Sequence, residues 1–152
     1  MNSLGASVYY RQLRDKENEM NKSTKEMAAQ IRKELKVRFP TYKFSVRKEG
    51  FSGGSAITVA LMTAPHEVFA AEQNERYHLS SYAFKYAQLN EYQLNHTSRN
   101  DNYDSNGTRL TKRAFNMLVD LVQYLDSLKW FDTRYSFLHL EIGKWDKPFT
   151  VK

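Results

Sequence analysis

Two runs of alternating apolar and polar residues, joined by a glycine-rich stretch, constrain the fold of this chain most. The first run, YKFSVRKE, covers residues 42–49, and the second, AITVALM, covers residues 56–62. A period of two places the apolar side chains on one face of a strand. The connection GFSGGS supplies the glycines that a tight turn needs. We therefore predict a β-hairpin with strands at 42–49 and 56–62.

The same glycine-rich stretch raises the question of a phosphate-binding loop. A P-loop needs G-x-x-x-x-G-K-[ST] after a strand and before a helix. Here Ser55 follows Gly54 where that motif has lysine, and a strand is predicted next. A dinucleotide fingerprint G-x-G-x-x-G is also absent from the chain. The pattern favours a structural turn, and the alternative is a loop in which Ser52 or Ser55 contacts a ligand.

Helical spacing flanks this hairpin on both sides. Ser23 and Glu26 form the S-x-x-E capping pattern before an apolar stripe, and Pro40 stops the helix that follows. A second stripe has the strongest periodicity in the chain and comprises Leu110, Ala114, Met117, Leu118, Leu121, Leu125 and Leu128. The spacing predicts helices at 24–38 and 109–129. Alternation in YSFLHLEI predicts a third strand at 135–142.

These elements indicate the α+β class, with a small antiparallel sheet of the hairpin 42–49/56–62 plus strand 135–142, packed by the two helices. Residues 1–21 are charge-rich and are predicted to be a flexible lead-in. Residues 22–152 are predicted to form a single domain. Within it, residues 76–107 form a polar segment rich in Tyr and Asn, whose second half is a loop by composition.

The residues that the chain lacks exclude several classes of protein. There is no cysteine, so disulfides, thiolate zinc sites and thiol nucleophiles are impossible. No apolar run approaches the ~20 residues that span a bilayer, and the first residues have no apolar signal core. We therefore expect a cytoplasmic protein with no membrane partner.

Two constellations could carry chemistry, and both are weak. His139 and Glu141 lie two residues apart on the predicted strand, so they share a face and could act as an acid–base pair. The run from Asp101 to Gly107 loosely resembles a calcium loop but lacks the closing bidentate glutamate. We expect no catalytic residue, no metal and no cofactor. An enzyme that uses His139 and Glu141 is the alternative reading.

The net charge of +6 is concentrated in one part of the chain. Residues 1–50 contain twelve Lys and Arg against six Asp and Glu, whereas residues 51–152 are neutral. A one-sided basic surface fits a polyanion or an acidic protein, although a solvated charged face is the alternative. The candidate partner-binding or nucleic-acid-binding residues are Arg32, Lys33, Lys36, Arg38, Lys43, Arg47 and Lys48, with Tyr82, Tyr86 and Tyr92 as contact aromatics.

Two segments carry a family resemblance: LKVRFPTYKFSVRKEGFSGGSAITVAL, with the core F-P-x-x-K-F-S-V followed by S-G-G, and the ending FLHLEIGKWDKPF. Together they resemble the large polyvalent protein associated domains of mobile elements in Bacteroidetes-type bacteria. The resemblance covers roughly residues 24–75 and 110–150. It implies a mobile-element origin and an α+β domain, and it brings no catalytic residue with it.

Small cysteine-free proteins of phages and integrated elements include inhibitors of host defence, with the anti-CRISPR proteins as the prominent class. By this analogy we expect a non-enzymatic binding protein that inhibits a host defence nuclease by binding the nuclease or its guide-RNA complex. Direct contact with RNA or DNA belongs to the same expectation. The alternative function is a nucleic-acid-binding accessory protein for transfer or replication of the element.

Overall fold

Helices and strands are interspersed along the chain in the computed structural model, which describes residues 22–71, 85–95, 103–132 and 136–152. The predicted α+β class is confirmed. The lead-in 1–21 lies outside the described residues. The elements are α1 (Thr24–Arg38), β1 (Lys43–Phe51), β2 (Gly54–Ala64), β3 (Ala87–Leu89), α2 (Glu91–Asn95), β4 (Asp104–Ser105), β5 (Thr108–Arg109), α3 (Lys112–Ser127), a 3-10 turn (Trp130–Asp132), β6 (Ser136–Ile142) and β7 (Thr150–Val151).

The bounds of α1 agree with the prediction of 24–38. The Ser23 hydroxyl oxygen accepts a hydrogen bond from the backbone N–H of Glu26 at 3.1 Å, which satisfies one of the unpaired donors of the first turn. At the other end, Phe39 donates its backbone N–H to Leu35, and Pro40 follows. Proline cannot continue the helix, so the chain turns there into β1.

The predicted hairpin is confirmed, and its strands are longer than the pattern indicated. β1 and β2 pair antiparallel from Lys43 to Phe51, so Ser52 and Gly53 alone make the turn. Gly53 has φ of +92°, a conformation that side chains with a Cβ rarely adopt. The glycine-rich stretch is therefore a tight turn between two strands, as predicted.

The sheet is mixed, so the predicted antiparallel arrangement is wrong for the third strand. The strand order is β1-β2-β6-β3, and β6 runs parallel to β2 with Val59 opposite Leu140. The short β7 also pairs parallel with β2. Parallel neighbours need a long crossover rather than a turn, and the chain between Ala64 and Ser136 provides one that includes α3. β6 was predicted at 135–142 and begins at Ser136.

The core lies on one face of this sheet. Val46, Val59 and Leu140 stand side by side on neighbouring strands and belong to one hydrophobic cluster with the buried residues of α1 and α3. α3 covers a narrower range than the predicted 109–129, because Thr111 accepts the hydrogen bond of an N-cap from Ala114. The opposite face of the sheet carries Arg47, Thr58, His139 and Glu141 by the same register.

The polar segment 76–107 contains more regular structure than its composition indicated. Its described residues include β3 at the edge of the sheet, α2, and β4, which pairs with β5. Asn106 and Gly107 have φ of +53° and +78° and make the turn between β4 and β5. An Asn-Gly pair is the sequence signal for such a turn, and it went unused in the sequence analysis because the flanking strands are only two residues long.

Gly143, which directly follows β6, provides a test of how tightly the chain is packed at the end of that strand. Its φ is +69°, and an added Cβ would collide with the Lys85 carbonyl oxygen and lie 2.8 Å from the Phe149 backbone nitrogen. Gly143→Ala is expected to lower the free energy of unfolding by about 2–4 kcal/mol, from backbone strain and from the separation of these segments. Urea denaturation followed by circular dichroism measures the change.

Gly50 supplies the matched control, because it lies in a strand and an added Cβ there meets no atom within 4 Å. Gly50→Ala should leave the stability unchanged or raise it by up to about 1 kcal/mol. Equal stabilities of the two variants would contradict the packing at Gly143.

Candidate functional site

Three of the seven predicted basic residues gather where α1 passes alongside β1. Arg32 and Lys36 project from α1, and Lys43 begins β1, so these three cations line a single groove of about 470 Å³. We call this the α1–β1 groove, and its other lining residues are Leu35, Pro40, Tyr42, Phe44 and Val46. The helical spacing of the apolar residues in α1 turns them towards the sheet. Arg32 and Lys36, which lie off that stripe, are left beside the groove.

The three arginines of the predicted set are engaged within the protein. Arg32 donates to the Val46 carbonyl oxygen from Nε at 3.2 Å and from Nη2 at 2.8 Å, which fastens α1 to β1. Arg38 pairs with Glu34 at 3.4 Å and lies 4.3 Å from the centre of the Tyr124 ring on α3. These contacts give Arg32 and Arg38 a structural role as well as a charge.

Arg47 is separated from the other cations by the sheet. It points to the face opposite the core, where its Nη2 lies 2.9 Å from Glu141 Oε2. Strand alternation places it there, because Val46 points to the core and successive side chains of a strand point to opposite faces. The structure therefore does not bring Arg47 together with the α1–β1 groove.

The four lysines of the predicted set differ from the arginines in their contacts. Lys33, Lys36, Lys43 and Lys48 are exposed. Among the described residues, none of them makes an ion pair or a side-chain hydrogen bond. We call these four residues the lysine surface. Ammonium groups without an internal partner keep their charge available for an external anion.

The predicted tyrosines lie apart from the lysine surface. Tyr86 precedes β3 and Tyr92 lies in α2 just after it, at the opposite edge of the sheet from β1. Three strand spacings separate the two edges, which is about 14 Å. Tyr82 lies outside the described residues. The described tyrosines and the lysines therefore do not form one continuous surface.

His139 and Glu141 share one face of β6, as predicted, and it is the open face of the sheet, opposite the core. A polar pocket of about 500 Å³ is bounded there by both residues together with Glu49, Thr58 and Gln88. Glu141 forms an ion pair with Arg47. Within residues 22–71, 85–95, 103–132 and 136–152, no group of three or more His, Asp or Glu residues could hold a metal ion.

The run that loosely resembles a calcium loop is divided by the structure. Asp104 and Ser105 form β4, and Asn106 and Gly107 make the turn to β5. Asp101 and Asn102 lie outside the described residues. Residues 104–107 are thus used for strand pairing and a turn.

An exposed aromatic pair was missed by the sequence analysis. Phe51 and Phe137 are each 48% exposed, and their ring centres lie 5.9 Å apart at the tip of the hairpin. Because Phe51 stands in the glycine-rich connection, it was assigned to the turn rather than to a strand. The usable signal is that Phe51 and Phe137 both continue the polar alternation of their strands, which places them on the open face.

In the part of the chain that the structure describes, no helix is both long and apolar enough to cross a bilayer.

Comparison with known proteins confirms the family resemblance and alters its extent. The family model for large polyvalent protein associated domain 29 matches residues 22–127. That range includes the polar segment 76–107, which the resemblance left unaligned, and stops before the ending FLHLEIGKWDKPF. No curated protein and no solved structure matches the chain.

Arg32 and its neighbour Lys33 test the division between engaged arginines and unpartnered lysines. Arg32→Ala removes both hydrogen bonds to the Val46 carbonyl oxygen and should lower the free energy of unfolding by about 1 kcal/mol. Lys33 is exposed and makes no ion pair or side-chain hydrogen bond with the described residues, so Lys33→Ala should change it by less than about 0.5 kcal/mol. Chemical denaturation of the two variants measures both values, and equal losses would show that Arg32 does not fasten α1 to β1.

Proposed function

The chain belongs to the large polyvalent protein associated domain 29 family, and from that premise we propose that it is a non-enzymatic binding protein of a mobile element. It binds an anionic partner through the lysine surface of α1 and β1. The proposal rests on four exposed lysines that lie on the two elements bordering the α1–β1 groove and make no ion pair or side-chain hydrogen bond with any described residue.

Physical chemistry favours an external anion at this surface. Placing several ammonium groups on one side of a domain raises the local positive potential, which attracts phosphates and carboxylates and speeds their association. Arg32 adds to this potential because its hydrogen bonds go to a neutral carbonyl oxygen, whereas the charge of Arg38 is offset by Glu34. Lys36 and Lys43, with Arg32, place part of the charge of residues 22–50 around the α1–β1 groove.

The partner that we propose is the guide-RNA complex of a host defence nuclease. The family associates the chain with mobile elements, and such elements are the targets of host nucleases. A nuclease loaded with RNA presents phosphates and protein side by side, so lysines next to an apolar groove match both parts. By this proposal the chain inhibits the nuclease by binding directly to its guide-RNA complex.

The alternative is an accessory protein that binds nucleic acid during transfer or replication of the element. The unpartnered lysines favour it as well, because phosphate contacts need only positive charge. The two functions differ in their salt dependence with naked RNA or DNA. Four phosphate contacts give a slope of about −3 in log K against log salt for a single strand.

Reversal of the lysine surface tests the proposed function. A variant with Lys33, Lys36, Lys43 and Lys48 all changed to Glu should lose its partner, because attraction becomes repulsion, and should keep its fold, because all four side chains are exposed. The tagged protein is used to capture complexes from host extract with and without ribonuclease, and mass spectrometry identifies them. Purified nuclease is then assayed for cleavage with each protein added.

The matched control changes Lys112, Arg113, Lys147 and Lys152 to Glu, four exposed cations that lie away from the α1–β1 groove. Both variants have the same formal charge. The proposal expects the control to capture and inhibit the nuclease as the wild type does. Loss of binding in both variants would point to net charge alone. Capture of bulk nucleic acid without a nuclease would support the accessory protein instead.

A further inference from the structure

The α1–β1 groove has an apolar floor that a phosphate-binding surface does not need. Leu35 of α1 and Val46 of β1 form this floor and are only 2% and 6% exposed. Its volume of about 470 Å³ falls within the range of about 300–1,000 Å³ in which proteins bind small ligands or inserted side chains. The groove can therefore hold an apolar group while its cations contact charged ones.

Two aromatic rings that line the groove, those of Tyr42 and Phe44, each contact the ring of Phe39. The rings of Phe39 and Phe44 lie 5.9 Å apart and those of Phe39 and Tyr42 lie 6.3 Å apart, both edge to face. The Tyr42 hydroxyl is also hydrogen-bonded to Nε2 of His66 at 2.7 Å. Together with the buried Leu35 and Val46, these rings give the groove an apolar lining that suits an aliphatic side chain.

Charge around the groove selects for an acidic partner. Among the described residues, the lining contains three cations, Arg32, Lys36 and Lys43, and no carboxylate. Two of the cations stand on the helix and one on the strand, so they flank the floor from both sides. The same charges oppose a second copy of this chain at the edge strand β1, because lysines on an edge repel each other.

We propose that the α1–β1 groove binds an extended acidic segment of a partner protein, with an aliphatic side chain anchored on the floor and carboxylates facing the cations. β1 is an edge strand, and Arg32 already occupies its Val46 carbonyl beside the groove. The groove therefore holds the segment through its side chains rather than as an added strand. The inference rests on the proposed function and specifies which part of the partner the groove recognises. It assigns protein rather than RNA to the groove, and leaves Lys33 and Lys48 to phosphate.

The test uses a fluorescein-labelled peptide of alternating Glu and Val, nine residues long to match β1. A peptide of alternating Glu and Ser keeps the charge and removes the anchor, and a single-stranded oligouridylate of equal charge represents nucleic acid. Anisotropy titrations with the full chain are expected to show the Glu/Val peptide binding at least about tenfold tighter than the Glu/Ser peptide, the value of one buried aliphatic side chain.

Two charge-reversal variants locate the binding. The double variant Lys36→Glu with Lys43→Glu should bind the Glu/Val peptide at least about tenfold more weakly than the wild type, since repulsion replaces two charge contacts. Lys112→Glu with Arg113→Glu carries the same change in charge on α3 and should alter binding less than about twofold. Circular dichroism confirms the fold of each variant.

Three results would overturn the inference: equal binding of the two peptides, equal loss in the two variants, or tighter binding of the oligouridylate with the same sensitivity to Lys36 and Lys43. A chain that captures the nuclease yet binds no acidic peptide would keep the proposed function and lose the inference. A chain that binds the Glu/Val peptide and captures no nuclease would keep the acidic-segment site and lose the proposed function.

Discussion

The central strand β2 is the constraint on which the rest of the structure depends. It pairs antiparallel with β1 along one edge and parallel with β6 along the other. Its Ile57, Val59 and Leu61 join the core with α1 and α3, whereas Ala56 and Ala60 are buried on the opposite face and stand outside that core cluster. β1 is thereby left as an edge strand, and α1, packed beside it, leaves the α1–β1 groove.

This arrangement explains why a basic helix and a basic strand become one candidate site. Hydrophobic burial fixes α1 through its apolar stripe, and the two hydrogen bonds of Arg32 to Val46 attach it to β1. The cations off that stripe are then held near those of β1 without any direct attraction between them. Like charges that are gathered by packing in this way gain from an external anion.

Sequence patterns predicted the local elements well, because short-range chemistry decides them. The capping pair Ser23 and Glu26 and the stop at Pro40 determined both ends of α1. The direction of β6 could not be predicted, since a period of two is the same in parallel and antiparallel strands. It depends on how the long connection from Ala64 returns. The environment of Trp145 could not be predicted from sequence either: its side chain is 81% exposed, although large aromatic residues are usually at least partly buried.

The candidate site was predicted in part. Composition identified the basic residues, but only the register of β1 shows that Arg47 points away from the groove and pairs with Glu141. Likewise, sequence analysis had no means of separating arginines that bind carbonyls or carboxylates from lysines that do not. The distance between the described tyrosines and the lysine surface follows from strand order, which is a long-range property.

The central claim is that a partner covers the lysine surface, and acetylation of lysines in the presence and absence of that partner tests it most directly. Mass spectrometry would compare Lys33, Lys36, Lys43 and Lys48 with Lys112, Lys147 and Lys152, all of them exposed in the free protein. The account predicts that the first four become protected in the captured complex while the other three react as before. Unchanged reactivity of the first four, or protection of the other three alone, would contradict it.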